Sequence, residues 1–233
     1  YYTVLVRDAA GNVGGYAVAS ASLNVMGNNC NPVSAAETMA MVKEHVVETL
    51  GVPALTIGTG CSGGSYQVFM IADNYPGLLD AILAGCVFPE VAFATLHTIT
   101  DALLLDHFFA SATGWTDEQK RAASGFAKVG TIANLAGGGR RIDPRVYCPA
   151  VLPTDQRYDP QANPDGARCD VYSAQINIWG DSGEGVPRRP LDNTGIQYGL
   201  QAWRDGTIST DQFLELNASI GGFDADANVS LMH

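Results

Sequence analysis

Within residues 54–85, two short apolar runs, Ala54-Leu-Thr-Ile57 and Leu79-Asp-Ala-Ile-Leu-Ala-Gly85, are separated by room for one helix and little else. Strands joined through a helix lie parallel, linked by a right-handed crossover. The same alternation extends upstream. Tyr16–Val25, rich in small and β-branched residues and bounded by Gly14-Gly15 and Gly27, reads as a buried parallel strand. Ser34-Ala-Ala-Glu37 has the form of a capping box. Behind it Met39, Val42, Val46 and Leu50 recur at helical spacing until Gly51 and Pro53 stop the helix. Residues 16–87 therefore predict a β-α-β-α-β run of the α/β class with a partial parallel sheet.

The second strand feeds directly into Gly58-Thr-Gly-Cys-Ser-Gly-Gly64, and a helix is expected from about Ser65 to Tyr75, closed by Pro76-Gly77. Ser62 thus stands between strand and helix with glycines two residues before and two after it. A nucleophile elbow needs this pattern, because a serine held in a strained turn leaves no room for side chains at those neighbours. The turn lifts Oγ clear of the sheet and aims the Gly63 amide and the helix N-terminus at a developing oxyanion. The alternative is a glycine-rich structural or phosphate-cradling turn. The run lacks the lysine of a P-loop and the third glycine of a dinucleotide fingerprint.

After Pro89 the pattern changes. Thr116-Asp-Glu-Gln119 and Ser209-Thr-Asp-Gln212 are capping boxes, and Gly206 and Gly221 stand where helices end. Between them residues 137–170 form a long stretch rich in Gly, Pro and Asp, and a Cys148–Cys169 disulfide would staple it. The expected division is 1–87 as part of a sheet core and 88–233 as a mainly helical, loop-rich insertion. The five cysteines, with no CxxC pair, disfavour a zinc site and fit an exported, disulfide-bearing protein; buried thiols in a cytosolic protein are the alternative. One cysteine must be unpaired or joined outside the chain. The net charge of −11, without a basic run, disfavours nucleic acid as partner. The longest apolar reach, Leu78 to Leu96, is broken by Asp80, Pro89 and Glu90 and does not suit a membrane span.

Gly60-Cys-Ser-Gly-Gly64, Asp73-Asn-Tyr-Pro-Gly77 and Leu79-Asp-Ala-Ile-Leu-Ala-Gly85 together resemble tannases and feruloyl esterases and an uncharacterised bacterial branch related to them. Ala17-Val-Ala-Ser20, Ser34-Ala-Ala-Glu-Thr38 and Arg189-Pro-Leu-Asp-Asn193 extend the resemblance to that branch over most of the chain. The resemblance implies a secreted or periplasmic α/β-hydrolase with a large lid inserted after the strand that follows the nucleophile helix. It also implies a disulfide near the site. In tannases a cysteine directly before the serine bonds to one directly after the catalytic histidine; Cys61 matches the first position, and the partner is expected outside this chain.

A serine hydrolase needs a histidine base and a carboxylate behind it, in the order serine, acid, histidine for this fold. His97 and His107, near Asp101 and Asp106, lie in an apolar helical stretch and read as lid residues. His233 is terminal, His45 precedes the elbow, and Glu90 reads better as a surface charge than as the acid. The resemblance places the histidine and acid strands beyond residue 233 and the oxyanion loop before residue 16. The expectation is a serine hydrolase cleaving a carboxylic ester through Ser62, with Gly63 supplying an oxyanion amide. A second polypeptide segment would complete the core, and no cofactor or metal is called for. Amide or peptide hydrolysis and a catalytically silent binding subunit remain open alternatives.

Weaker signals are Asp224-Ala-Asp-Ala-Asn228, which spaces oxygen ligands as a calcium loop begins but reads better as a polar turn, and two arginine pairs, Arg140-Arg141 and Arg188-Arg189. Trp115, Trp179, Trp203 and Phe108-Phe109 read as lid core rather than as a pocket lining. Asn217-Ala-Ser and Asn228-Val-Ser match the glycosylation pattern.

Overall fold

The computed structural model describes residues 2–7, 10–24, 29–88, 95–183 and 185–231. The chain divides into two compact units, residues 1–91 and 92–233.

The first unit holds strands β1 (Tyr2–Arg7) and β2 (Val13–Ala19), helix α1 (Pro32–Leu50), strand β3 (Pro53–Cys61), helix α2 (Gly63–Asn74) and strand β4 (Ala81–Gly85). The sheet order is β2-β1-β3-β4, with β3 and β4 parallel and the other pairs antiparallel. This is a mixed α/β unit. The parallel pair is where the apolar runs placed it, although β4 starts two residues later than expected. Asp80 takes the missing positions: its amide donates to Thr56 O at 2.8 Å and its carboxylate accepts from Thr56 N at 2.6 Å. The strand expected at 16–25 is corrected. It runs from Val13 to Ala19 and is antiparallel, because Tyr2–Arg7, not read as a strand, pairs between it and β3.

The cap of α1 also differs from expectation. The helix starts at Pro32, and Asn31, not Ser34, caps it by accepting from the Val33 and Ser34 amides. Proline at the first position needs no amide partner, so the chain enters the helix three residues early. Its apolar stripe is buried at Met39 and Val46, whereas Leu50 in the last turn is exposed, against expectation. Ala36 and Met39 of α1 are buried against Ile71 of α2, with Val42, Met70, Tyr75, Leu78 and Leu79 around them. Lys43 Nζ ties α1 to the turn after α2 through the carbonyls of Gly77 and Leu78. Helix α2 covers the sheet face that carries Thr56 and Gly58, where a methyl on Gly58 would sit 2.9 Å from Val68.

The second unit contains α3 (Leu96–Ser111), α4 (Asp117–Ser124), α5 (Gly130–Gly139), the short α6 (Ile176–Trp179) and α7 (Leu200–Arg204), then α8 (Thr210–Ser219) and a hairpin of β5 (Gly222–Phe223) and β6 (Val229–Ser230). Its core gathers Leu104, Leu105 and Phe108 with Trp115, Ile132, Tyr198, Ile208 and Leu216. Trp115 lies edge-on to Phe108 and Phe109, at 5.8 and 5.1 Å between centroids, so it serves packing, whereas Trp203 stacks on Phe213 but is exposed rather than part of the core. The expected Cys148–Cys169 disulfide closes the long irregular stretch. Gly206 and Gly221 lie just past α7 and α8 at φ of 72° and 67°, the left-handed turn that favours glycine there.

Both capping boxes form, and they interlock. Thr116 caps α4 and Ser209 caps α8, each with its N3 glutamine reaching back. Gln119 Nε2 and Gln212 Oε1 then meet at 3.2 Å, while Gln119 also donates to Thr207 O and Gln212 to Gly114 O. Ser209→Ala is expected to cost about 1 kcal/mol by chemical denaturation. Combined with Thr116→Ala it should show a coupling of at least about 0.5 kcal/mol, since the caps share the glutamine contact. Strict additivity would mean the two helix ends are independent.

Candidate active site

The backbone of β3 leaves the sheet at Cys61 and enters α2 at Gly63, so Ser62 alone makes the turn. It does so at φ 58° and ψ −120°, a conformation that costs an L-residue on the order of 1–3 kcal/mol. Its backbone is bonded at both ends. Ser62 N–H donates to Gly85 O at 3.1 Å, and Ser62 O accepts from Ser65 N at 2.9 Å, Tyr66 N at 3.2 Å and Ser65 Oγ at 2.7 Å.

A serine at a helix N-cap ordinarily turns its hydroxyl onto the amides of the first turn. Here Ser62 makes no such bond, and the residue is exposed. The hydroxyl is thus directed away from the task that would otherwise explain a serine at this position. The amides of Gly63 and Gly64 open the helix, before any intrahelical carbonyl can reach them, and lie beside the positive end of its dipole.

Space around the turn is unequal. A methyl on Gly60 would lie 2.3 Å from the carbonyl carbon of Gly64, which no adjustment of side chains relieves. A methyl on Gly64 meets nothing within 4 Å, and one on Gly63 likewise. Of the two glycines that the elbow pattern singled out, only Gly60 is demanded by contact. Gly60→Ala should therefore destabilise the protein by at least about 2 kcal/mol, while Gly64→Ala should stay within about 1 kcal/mol of wild type in thermal unfolding. Equal effects would contradict the close approach of strand and helix.

The expectation that Cys61 finds its partner outside the chain is corrected. Cys61 is disulfide-bonded to Cys86, the residue immediately after β4. The parallel register explains this, for Cys61 lies opposite Gly85 and the next residue on β4's side is the cysteine. Cys86 also has a positive φ, 49°. Cys30, exposed ahead of α1, belongs to neither disulfide. The sequence carries a signal for this pairing in the place of Cys86, directly behind a strand parallel to the cysteine-bearing one.

The histidines are not brought to Ser62 by any hydrogen bond among the described residues. His45 is exposed on α1, while His97 and His107 sit on α3 of the second unit, half-buried and exposed respectively. Glu90 and His233 lie outside the described residues. Next to His97 the structure places Asp101, which accepts from Tyr198 OH at 3.0 Å; Asn193 Nδ2 donates to that same hydroxyl and to Gly221 O. Burial pushes the Asp101 carboxyl above its ordinary value, against the opposing pull of Tyr198 and His97, and burial likewise raises the Tyr198 phenol. Because the folded pKa of Asp101 is raised, the ionised form is penalised at neutral pH and the penalty disappears on acidification toward 3.8. Asp101→Asn, which keeps an oxygen acceptor for Tyr198, should thus unfold at the same or higher temperature at pH 7, with the difference shrinking at pH 3. A large loss at pH 7 would show that the charge, not the acceptor, holds the network.

The Asp224–Asn228 loop is filled by protein donors. Asp224 accepts from the Asp226 and Asn228 amides and from Asn228 Nδ2; although burial works against its charge, these bonds hold it below the usual carboxylate value. Asp226 accepts from Tyr158 OH at 2.6 Å and pairs with Arg168, which lies 4.2 Å over the Tyr158 ring. Arg145 and Arg189 bond carbonyls of the same loop. Among the described residues no three His, Cys, Asp or Glu side chains are grouped to hold a metal ion. Of the arginine pairs, Arg189 serves this loop and Arg141 bonds Gly138 O. Asn217 is taken up by Tyr198 O and Phe213 O, so its amide is engaged in the fold. A cavity of about 250 Å³ beside α3, walled by Phe109, Val129 and Ile132 with Asp106 and Lys120 at its edge, contains none of the residues expected to do chemistry.

No curated protein and no solved structure matches the chain. A family profile described as "Tannase-like family of unknown function (DUF6351)" matches residues 8–231, and with all but the ends of its 233 residues covered the chain belongs to that family.

Proposed function

We propose that this protein is a serine hydrolase of carboxylic esters, with Ser62 as nucleophile on an α/β-hydrolase core. The observation that carries the reading is the conformation of Ser62: a strained, exposed serine at a helix N-terminus whose hydroxyl does not cap the helix. Strain of this kind persists where the surroundings over-determine it, and it gathers at active sites. Membership of a tannase-like family supports ester chemistry over other uses of an elbow.

In this reading Ser62 Oγ attacks the ester carbonyl and its proton passes to a histidine. The tetrahedral oxyanion is met by the Gly63 amide, which needs no reorganisation because the helix start fixes it. The alkoxide leaves protonated, acyl-Ser62 remains, and water attacks it with the same base to release the acid. The histidine and acid come from sequence outside residues 1–233, on a segment that completes the sheet.

Two features support such a segment. β4 is the outer strand of the sheet order, and the register aligns Tyr16, Val18, Leu55 and Leu83 on the face opposite α2, where all four are exposed, Tyr16 at 76% and Leu83 at 65%. Sheets with parallel strands are covered on both faces, and apolar side chains at this density belong against another layer. Export, to the outside or to the periplasm, is supported by the two disulfides. No helix among the described residues is long and apolar enough to cross a membrane.

The test is intact mass spectrometry of the unreduced protein, purified with whatever segment accompanies it, before and after a fluorophosphonate. The expected result is one adduct per molecule, mapped to Ser62, and a loss of aryl-ester hydrolysis by roughly 10³-fold or more in Ser62→Ala. Labelling elsewhere, or none, would remove Ser62 from the reaction.

A further inference from the structure

The β3–β4 ladder ends at Cys61 and Gly85, and the next residue on each strand turns sharply. Ser62 turns at φ 58° and Cys86 at φ 49°, so two left-handed non-glycine residues stand side by side where parallel strands leave the sheet. Each is a backbone conformation unfavourable to an L-residue and must be held by its surroundings. The turns are coupled through two links. One is the Cys61–Cys86 disulfide; the other is the hydrogen bond from Ser62 N–H to Gly85 O. Gly85 O lies in the same peptide plane as Cys86 N, so the torsions that let Cys86 relax also swing the carbonyl that holds the Ser62 amide.

The two disulfides differ in access. Both Cys61 and Cys86 are exposed, whereas Cys148 and Cys169 are half-buried within the stapled stretch. Thiol–disulfide exchange requires a sulfur that a thiolate can reach.

We propose that Cys86 is a positioning residue for Ser62, and that the Cys61–Cys86 disulfide is a thiol-sensitive clasp on the nucleophile turn. An external dithiol attacks one sulfur of the pair, forming a mixed disulfide and expelling the other cysteine as thiolate. The reagent's second thiol then displaces the protein sulfur, leaving two cysteine thiols and a cyclic oxidised reagent. With the covalent link gone, Cys86 leaves its positive φ, Gly85 O swings off the Ser62 amide, and Ser62 relaxes from the conformation that presents Oγ. The consequence for catalysis rests on the esterase reading; the consequence for the turn does not.

A disulfide closing this loop also restricts the unfolded chain, so a purely global role would lower Tm and leave the turn untouched. The experiment therefore reads the turn. The Cys148→Ala/Cys169→Ala variant and the wild type are treated with dithiothreitol, and Cys61→Ala/Cys86→Ala is prepared as the permanently open form. Disulfides are mapped by peptide mass before reduction. Fluorophosphonate labelling of Ser62, ester kcat and KM, and amide hydrogen exchange over residues 62–66 are measured well below Tm.

Expected are a Cys61–Cys86 peptide, a labelling rate and kcat lower by at least tenfold on reduction with KM unchanged, faster exchange at 62–66, and recovery on reoxidation. The same loss should appear in Cys61→Ala/Cys86→Ala and persist when only the Cys148–Cys169 bond has been removed. Cys61 mapped to another cysteine, or exchange at 62–66 unchanged by reduction, overturns the clasp. Faster exchange in a protein whose Ser62 never labels overturns the esterase reading and leaves the clasp standing.

Discussion

The close approach of Gly60 to Gly64 governs the first unit. Strand and helix run so near each other that a single methyl at position 60 would overlap the carbonyl of Gly64. With no space between them, one residue must reverse the chain, and Ser62 takes the strained backbone that this requires. The consequences follow in order. The serine amide is directed at Gly85 O, its carbonyl accepts from the first turn of α2, and the amides of Gly63 and Gly64 are left without intrahelical acceptors. A glycine contact thereby becomes an exposed hydroxyl beside unfilled donors.

The second unit uses a different kind of constraint. Residues 140–190 have few regular elements, so their order comes from polar links rather than from a continuous apolar face. Asp170, 2% exposed, accepts from the Tyr172 and Ser173 amides and the Ser173 hydroxyl, and Tyr172 packs beside it at 1% exposure. Burial pushes the Tyr172 phenol up to about 12. Arg145, Arg168 and Arg189, drawn from separate parts of this stretch, converge on the 224–228 loop. Guanidinium groups suit the task, since each offers several fixed donors to carbonyls that no helix or sheet satisfies. The hairpin is thus part of the framework, and the acidic residues that resemble the start of a cation loop act as its internal acceptors.

What could be read from the sequence follows the range of the interactions involved. Local chemistry was legible: the capping boxes at Thr116 and Ser209, the glycines at 206 and 221, and the strand–turn–helix around Ser62 are each decided within a few residues. The early start of α1 is a local signal that was outweighed, because Asn31-Pro32 competes with Ser34 for the cap and proline at the first position settles it. Pairing was less legible. β2 looks like a buried strand by composition, yet it pairs antiparallel to β1, and its register sets Tyr16 and Val18 on the exposed face. Nothing in residues 16–25 encodes that, since it depends on a strand before them.

The disulfide pairing shows the same limit in sharper form. Resemblance directs Cys61 away from this chain, but the geometry of two parallel strands places Cys86 one residue past the point opposite Cys61. Sequence similarity transmits the presence of a cysteine before the serine without transmitting its partner, because the partner is set by register. The turn at Ser62, by contrast, is decided by neighbours that the sequence places close by, between β3 and α2 and beside the end of β4. The contacts that fix Ser62, to Gly85 O and to the first turn of α2, are internal to the unit. The strained turn is therefore a property of this unit's own strand, helix and neighbouring strand, and it needs no contact from elsewhere to hold its shape.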